Sequence, residues 1–433
     1  MHVFYSFSGR YHPKTLFAVY KSMFVHRRQV TRHGAVRRSV ALLCLAFGVV
    51  SSAWALDPAN VRMGPLYLVP TLDVETAYTD NLFRSQSDQE VDTWFVTTLP
   101  KVQGWLQNGP NTYSLALQLE DFRYASSHDD DFTDYQANLD LHHEFNARNV
   151  LDVVAQWYDG HEERGTGLSE GNVVERIDEP VELETLDYGF KYTFGSRETP
   201  GRIEAAYKNF DRQYQNFRNA TQFRDYSQDE YRLTGYWAVG ARTDLLAEIR
   251  YFDTAYDEVN RVDPNGSFDS EEYDYYLGAS WQATARTTGS VRLGYFEREY
   301  DSIARQDDDG FSWEVDIDYR PRTYSAVNLE TRRFTQETNG FGDAIDTQEY
   351  AVRWDHDWNS RQRTVLRVLY ADDDYTGSGE REDDRYELEA KYTHAMRRWL
   401  DISGGYRYEK RNSEQEDLDY SRNLYFVEFN LSL

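Results

Sequence analysis

Tyr425-Phe-Val-Glu-Phe-Asn-Leu-Ser-Leu433 closes the chain and alternates to its last residue. Tyr425, Val427, Phe429, Leu431 and Leu433 make one large apolar face. Phe426, Glu428, Asn430 and Ser432 make the other. A period of two belongs to an extended strand whose two faces meet different surroundings. A final strand with aromatics on its greasy face looks like the closing strand of an outer-membrane β-barrel, with those five residues as its assembly signal. Such signals usually finish in Phe or Trp. This one finishes in Leu433, with Phe429 the nearest aromatic on that face.

The same alternation runs back through the chain. Tyr113, Leu115, Leu117 and Leu119 share a face, as do Leu186, Tyr188, Phe190, Tyr192 and Phe194. Leu245, Ala247, Ile249 and Tyr251 repeat it, then Tyr386, Leu388, Ala390 and Tyr392. Tyrosine and tryptophan recur at the ends of these faces, where a membrane barrel carries aromatic girdles.

Connections alternate in length. Short turns hold Asn108-Gly109-Pro110, Ala241-Arg242-Thr243 and Pro321-Arg322-Thr323. Long acidic segments run over 126–131, 159–180, 256–272, 301–310, 335–347 and 372–384. Short periplasmic turns opposite long outer loops are the asymmetry of an antiparallel up-and-down transmembrane β-barrel. About 18 strands are expected, from starts near Leu66, Thr93, Asn111, Phe132, Asn149, Glu182, Gly201, Ser227, Thr243, Glu271, Thr288, Gly310, Tyr324, Thr347, Gln362, Arg385, Arg398 and Asp419. Sixteen or twenty strands also fit. A hairpin-sized repeat, seen in Tyr236-Trp-Ala-Val-Gly-Ala-Arg-Thr243 and Ser280-Trp-Gln-Ala-Thr-Ala-Arg-Thr287, suits a solenoid or propeller too. The terminal strand and the loop asymmetry favour closure.

Residues 1–55 carry eight basic residues and no acid. Arginines precede the apolar run Val40 to Val50, and Ala53-Trp54-Ala55 forms a cleavage box. This reads as an N-terminal extension and cleaved signal peptide, with 56–433 as one barrel domain. Met23 would start a signal of ordinary length. With 1–55 removed, the net charge of −27 becomes −35, and Cys44, the single cysteine, is lost. The mature chain is therefore held by ladders and burial rather than disulfides. Its acidity argues against nucleic acid as a partner. Fifteen per cent aromatic residues, 34 of them tyrosine, is far from a disordered composition.

Near the start lies Pro70-Thr-Leu-Asp-Val-Glu-Thr-Ala-Tyr78-Thr-Asp80-Asn81-Leu-Phe83-Arg84. A first strand ending in Tyr-x-Asp-Asn-x-Phe, followed by Arg-Thr hairpins, resembles the β-barrel porin family found with exopolysaccharide and exosortase-type gene clusters. The resemblance rests on Pro70, Tyr78, Asp80, Asn81 and Phe83. It implies an outer-membrane barrel serving polysaccharide export, and no catalytic residue.

Alternation places Glu204, Glu248, Arg250, Arg292, Asp316, Arg353, Arg367, Glu389 and Arg407 on the lumen face, as candidate pore-lining residues. The same parity puts Tyr236, Phe252, Tyr276 and Phe296 there, where aromatic rings suit sugars. His142 faces the lumen with Asp140 and Glu144, but no serine motif accompanies it, so no enzyme is expected. Three aspartate triplets, around Asp129, Asp308 and Asp373, fall in expected outer loops. They are solvated tips or sites for Ca2+ or Mg2+ bridging to lipopolysaccharide. No other cofactor or metal is expected.

The expected function is an outer-membrane porin-like channel tied to exopolysaccharide export or surface assembly, constricted by the 159–180 loop. Alternatives are a non-conducting surface-binding barrel and, less favoured, a barrel acyl hydrolase. Expected partners are outer-membrane lipid, lipopolysaccharide, the barrel-assembly machinery and polysaccharide.

Overall fold

The computed structural model describes residues 61–171, 177, 179–196, 198–240, 242–284, 286–377 and 381–432. The expected signal peptide, Leu433 and part of the 159–180 loop lie outside them. A short β1 (Val61–Met63) precedes β2 (Leu66–Thr79), β3 (Thr93–Asn108), β4 (Asn111–Tyr124), β5 (Phe132–Asn146), β6 (Asn149–Glu162) and β7 (Val181–Phe194). Next come β8 (Gly201–Tyr214), β9 (Tyr226–Gly240), β10 (Thr243–Tyr256), β11 (Ser270–Thr284), β12 (Thr287–Tyr300) and β13 (Asp308–Arg322). The wall ends with β14 (Ser325–Glu337), β15 (Ala344–Asn359), β16 (Gln362–Tyr375), β17 (Glu382–Arg397), β18 (Leu400–Ser413) and β19 (Tyr420–Ser432).

Each strand from β2 onward pairs antiparallel with the next, and β19 returns to β2 from Leu424↔Thr79 to Ser432↔Thr71. The result is a closed barrel of 18 strands with β1 as an appendix. Closure satisfies every ladder without a free edge, which strands need in lipid. Every expected strand start lies within three residues of the observed one.

The strands are longer than a membrane requires. Most have 13–16 residues, against the ~9–11 that cross a bilayer. Two expected loops are corrected by this. Asp308 and Asp309 lie in β13 and Asp372–Asp374 in β16, so one triplet and most of another sit in the wall above the lipid. Ion pairs extend the ladders there. Arg385 Nε and Nη2 reach the Asp373 carboxylate, and Arg333 lies 2.6 Å from Asp346 and 3.8 Å from Asp308. Only the Asp129 triplet keeps its loop, beside a 3-10 turn over His128–Asp130.

The two faces follow the sequence pattern. Leu277 and Trp237 point outward and are 70% and 72% exposed, facing what would be lipid. Tyr207, Tyr231, Tyr251 and Tyr273 form a continuous outward row across β8–β11, with ring centroids 5.2, 6.1 and 4.8 Å apart. Tyr350, Tyr370 and Tyr386 continue it at 6.0 and 5.2 Å. These are tilted and offset-stacked contacts, at the centroid spacing that aromatic pairs prefer.

Away from the hairpin ends, the wall has local interruptions. Pro100 lies where the β3–β4 ladder breaks, between Thr98↔Asp121 and Lys101↔Gln118, because proline has no N–H to give. Pro70 falls where β2 exchanges β1 for β19 as its neighbour. The β13–β14 ladder stops at Glu314↔Arg332, although both strands continue outward.

Candidate functional site

The motif at the end of β2 fastens the seam. Asp80 accepts hydrogen bonds from the Asn423 backbone N (2.7 Å) and Nδ2 (2.6 Å) on β19. Buried Asn81 donates from Nδ2 to the carbonyls of Ser85 (2.7 Å) and Ser421 (3.0 Å), and accepts from Ser85 N (2.9 Å). Tyr78 packs on Trp94 at 5.4 Å. Phe83 lies under the Arg164 guanidinium at 5.0 Å. The short side chains of Asp and Asn suit this work, because each reaches a neighbouring backbone from a turn. Tyr425, Val427, Phe429 and Leu431 of the closing strand alternate outward beside the seam.

Inside the wall, acids and arginines meet across strands. Arg250 grips Glu314 through two parallel bonds of 2.7 and 2.9 Å, and its Nε donates to Glu248 at 2.7 Å. Arg292 lies 3.5 Å from both carboxylates, and Thr234 donates to Glu248 at 2.7 Å. Four strands thus share one neutral four-charge cluster, of the forked geometry that arginine favours. Farther round, Arg407 joins Glu389 (3.3 Å) to Glu75 (3.5 Å), Arg367 meets Glu387 (3.0 Å), and Arg353 meets Asp355 (2.7 Å). Glu204 accepts from Arg202 and Tyr236, and Asp316 from Asn328. All nine lumen candidates therefore lie on the inner face, engaged with neighbours rather than forming one ring.

Three of the four inward aromatics, Tyr236, Tyr276 and Phe296, are covered. Arg202 lies over Tyr236 at 3.8 Å and Arg333 over Phe296 at 3.0 Å, while Tyr276 bonds Ser312 at 2.6 Å. Their faces are stacked against guanidinium groups. His142 pairs its Nδ1 with Asp152 at 2.6 Å, with Glu144 at 3.5 Å. Asp152 also meets Lys191 at 3.4 Å. That partner comes from the neighbouring β6 and was not read from the sequence. Among the described residues no cluster of three or more His, Cys, Asp or Glu side chains forms a metal site. Within each aspartate triplet on a strand, adjacent carboxylates face opposite ways, so one triplet does not gather on one ion.

The outer mouth is where sequence reading saw least. After β6 the chain turns inward. Arg84, in the β2–β3 loop, pairs with Glu163, donates to the Arg164 carbonyl (3.0 Å), and reaches Glu409 (3.0 Å). Arg164 in turn lies 2.8 Å from Asp130 in the β4–β5 loop. Glu170 accepts from Arg381 (3.0 Å) and from Arg411 on β18 (2.7 Å). The loop thus leaves β6 and meets β18, with β5, β4, β3, β2 and β19 between them in the wall. Three glycines, Gly165, Gly167 and Gly171, allow this path. Gly165 and Gly171 have φ of +78° and +56°, and a Cβ at Gly165 would lie 2.0 Å from the Phe83 carbonyl.

Other loops join the same cap. Arg305, after β12, reaches Asp263 of the β10–β11 loop (2.6 Å) and Asp343 of the β14–β15 loop. Arg224, in the β8–β9 loop, donates to Glu162 at 2.8 Å. Arginine at each junction is the physical signal; linear spacing does not reveal it, because partners come from distant loops. Outside the strands, the Arg84 guanidinium holds the Glu163 carboxyl down to about 2, against the opposing effect of desolvation.

Among curated proteins none matches this sequence. Solved structures are similar in fold. The outer membrane protein OpdK of Pseudomonas aeruginosa is 13% identical with a TM-score of 0.44, over 84% of this chain and 99% of its own. A BenF-like porin from Pseudomonas fluorescens Pf-5 is 10% identical at 0.44, over 84% and 99%. OccAB3 of Acinetobacter baumannii is 12% identical at 0.42, over the same shares. The family described as "Putative beta-barrel porin 2" matches residues 55–433, so this chain belongs to that family and is a porin-like channel of the bacterial outer membrane.

Proposed function

We propose that the barrel is a restricted, non-enzymatic channel linked to the passage or surface placement of an exopolysaccharide. The start of the β6–β7 loop, over 163–171, carries the reading: its ties to Arg84 near the β19–β2 seam and to Arg381 and Arg411 by β17 and β18 support a path over the lumen. Water and small solutes pass beside it. A polymer passes only when the arginine clasps release. The acidic chain resists anions except where arginines stand without a matching carboxylate.

The outward tyrosine row marks the expected headgroup level of the outer leaflet. Just beyond it, Asp229, Asp253, Glu271 and Glu299 stand opposite one another on β9–β12. Like charges so placed repel, and contact with lipopolysaccharide phosphates through Ca2+ or Mg2+ would relieve them. Assembly by the barrel-assembly machinery through the β19 face belongs to the same proposal.

A non-conducting, surface-binding barrel is the second reading, favoured by the cap itself, since its loops are clasped to one another. Planar-bilayer conductance of the refolded barrel separates the two. Steady single-channel steps support the channel, and a folded but silent barrel overturns it. Loss of secreted exopolysaccharide on deleting the gene tests the link to the polymer.

A further inference from the structure

Under the cap, on β8 and in the loop after it, two arginines differ from their neighbours. Arg250, Arg298 and Arg411 each grip a carboxylate. Arg212 makes one hydrogen bond among the described residues, from Nη2 to the Arg224 carbonyl at 3.1 Å, and its Nε is unpartnered. Arg224 is 5% exposed. It gives Nη2 to Glu162, while its Nε and Nη1 have no partner.

Their positions are set by tyrosines. Tyr214 is buried between them, with Arg224 Cζ 4.5 Å and Arg212 Cζ 5.2 Å from its ring centroid. Arg212 also lies 4.5 Å from the Tyr226 ring, which packs on Tyr256 at 5.3 Å. A guanidinium held by its face against a ring keeps its N–H groups directed outward in its own plane. Charge points the same way. Glu162, the carboxylate that Arg224 reaches, already accepts from Arg224 and Tyr214. Arg218 and Asp225 neutralise each other at 2.5 Å. The site is left with one surplus positive charge, within a chain of net charge −27. Buried N–H donors without acceptors are costly. Here there are three of them, on two guanidinium groups that share the Tyr214 ring.

We propose that Arg212 and Arg224 form a binding site for a small oxyanion, the carboxylate of an acidic sugar or a phosphate group. Planar, forked donors match the two oxygens of such a group. Arg212 is the contact open to the lumen and Arg224 the buried anchor beneath it. Occupancy fills the vacant donors and neutralises the surplus charge. As a selectivity device this deepens the channel reading; as a binding site it stands independently.

Equilibrium binding tests it, by calorimetry on the refolded, detergent-solubilised barrel, with folding followed by heat-modifiable gel migration. The probes are galacturonate, inorganic phosphate and uncharged galactose. The folded wild type is expected to bind at least one of the two anions and not galactose, and whichever anion binds identifies the source. Arg212→Gln is expected to weaken that binding by at least ~10-fold, the scale of a lost charge-assisted contact. Arg212→Lys keeps the charge without the fork and falls between, which serves if the glutamine variant does not fold. A folded wild type that binds neither anion overturns the proposal, as does a variant that binds like the parent. Conductance does not enter the readout, so a silent barrel that binds anions overturns the channel and leaves the site.

Discussion

Arg84 and Glu163 stand 79 residues apart in sequence and meet as an ion pair at the outer mouth. One comes from the turn that follows the first long strand, the other from the loop after β6. Arg84 is buried and also reaches Glu409, so a single guanidinium joins the seam, the β6–β7 loop and β18. Replacing it by glutamine removes three contacts at one point. The expected result is a higher single-channel conductance with the barrel still folded, measured in planar bilayers. Conductance equal to that of the parent would show that the loop is not the restriction.

The same pair sets a pH window. The Arg84 guanidinium lowers the Glu163 carboxyl from its ordinary 4.5 to about 2 in the folded protein. A depressed carboxyl stabilises the cap above its unfolded pKa, and that contribution is lost as pH falls from about 4.5 towards 2. Conductance is expected to rise across that interval, and Glu163→Gln to remove this part of the rise. Half of Glu163 is open to solvent, so the stability at stake is small. A flat profile between pH 5 and 2.5 would contradict the assignment.

The Glu248–Arg250–Arg292–Glu314 cluster gives a stability prediction. Arg250→Leu leaves two carboxylates short of their main partner, and breaking such a buried pair costs about 3–5 kcal/mol. The double change Arg250→Met with Glu314→Leu removes charge from both sides and recovers most of it. Urea unfolding in detergent or lipid measures both.

Gly405 tests packing on the inner wall. A Cβ there would lie 2.3 Å from the Phe426 ring and 2.7 Å from the Ala390 carbonyl. The ring of Phe426 covers this glycine, and Arg407 covers the ring at 4.4 Å. Gly405→Val is expected to cost about 1–3 kcal/mol through overpacking. On the other face, Leu277→Arg is expected to cost about 2–4 kcal/mol in lipid, with lumen-facing Ser280→Arg close to neutral. Equal effects at the two positions would contradict the facing of β11.

The wall was readable because lipid enforces alternation. From Tyr113 to Leu119 and from Tyr425 to Leu431, every second side chain must be greasy, so strand, facing and approximate start follow from the letters alone. The lumen candidates were placed by the same parity. Asp308 and Asp373 were misread as loop tips because, above the lipid, polar residues face both ways and the greasy signal disappears. There the ladder is prolonged by pairs such as Arg385–Asp373, which a single chain does not announce. The cap was legible only as a long segment. Its path depends on Gly165, Arg84 and Glu170 finding partners from distant loops, and the Arg212–Tyr214–Arg224 stack depends on two elements meeting in space.

One small element bears on how this molecule is made. β1 folds back through Gly64 and Pro65, pairing Val61↔Leu68 and Met63↔Leu66. It lies along β2 beside the stretch that later receives β19. That long first strand is synthesised early and must wait for a partner more than 340 residues downstream. An unpaired edge invites the wrong neighbour, and contacts so remote in sequence form slowly. The little N-terminal hairpin shields part of the waiting edge and leaves Thr71–Thr79 as the berth for the last strand to arrive.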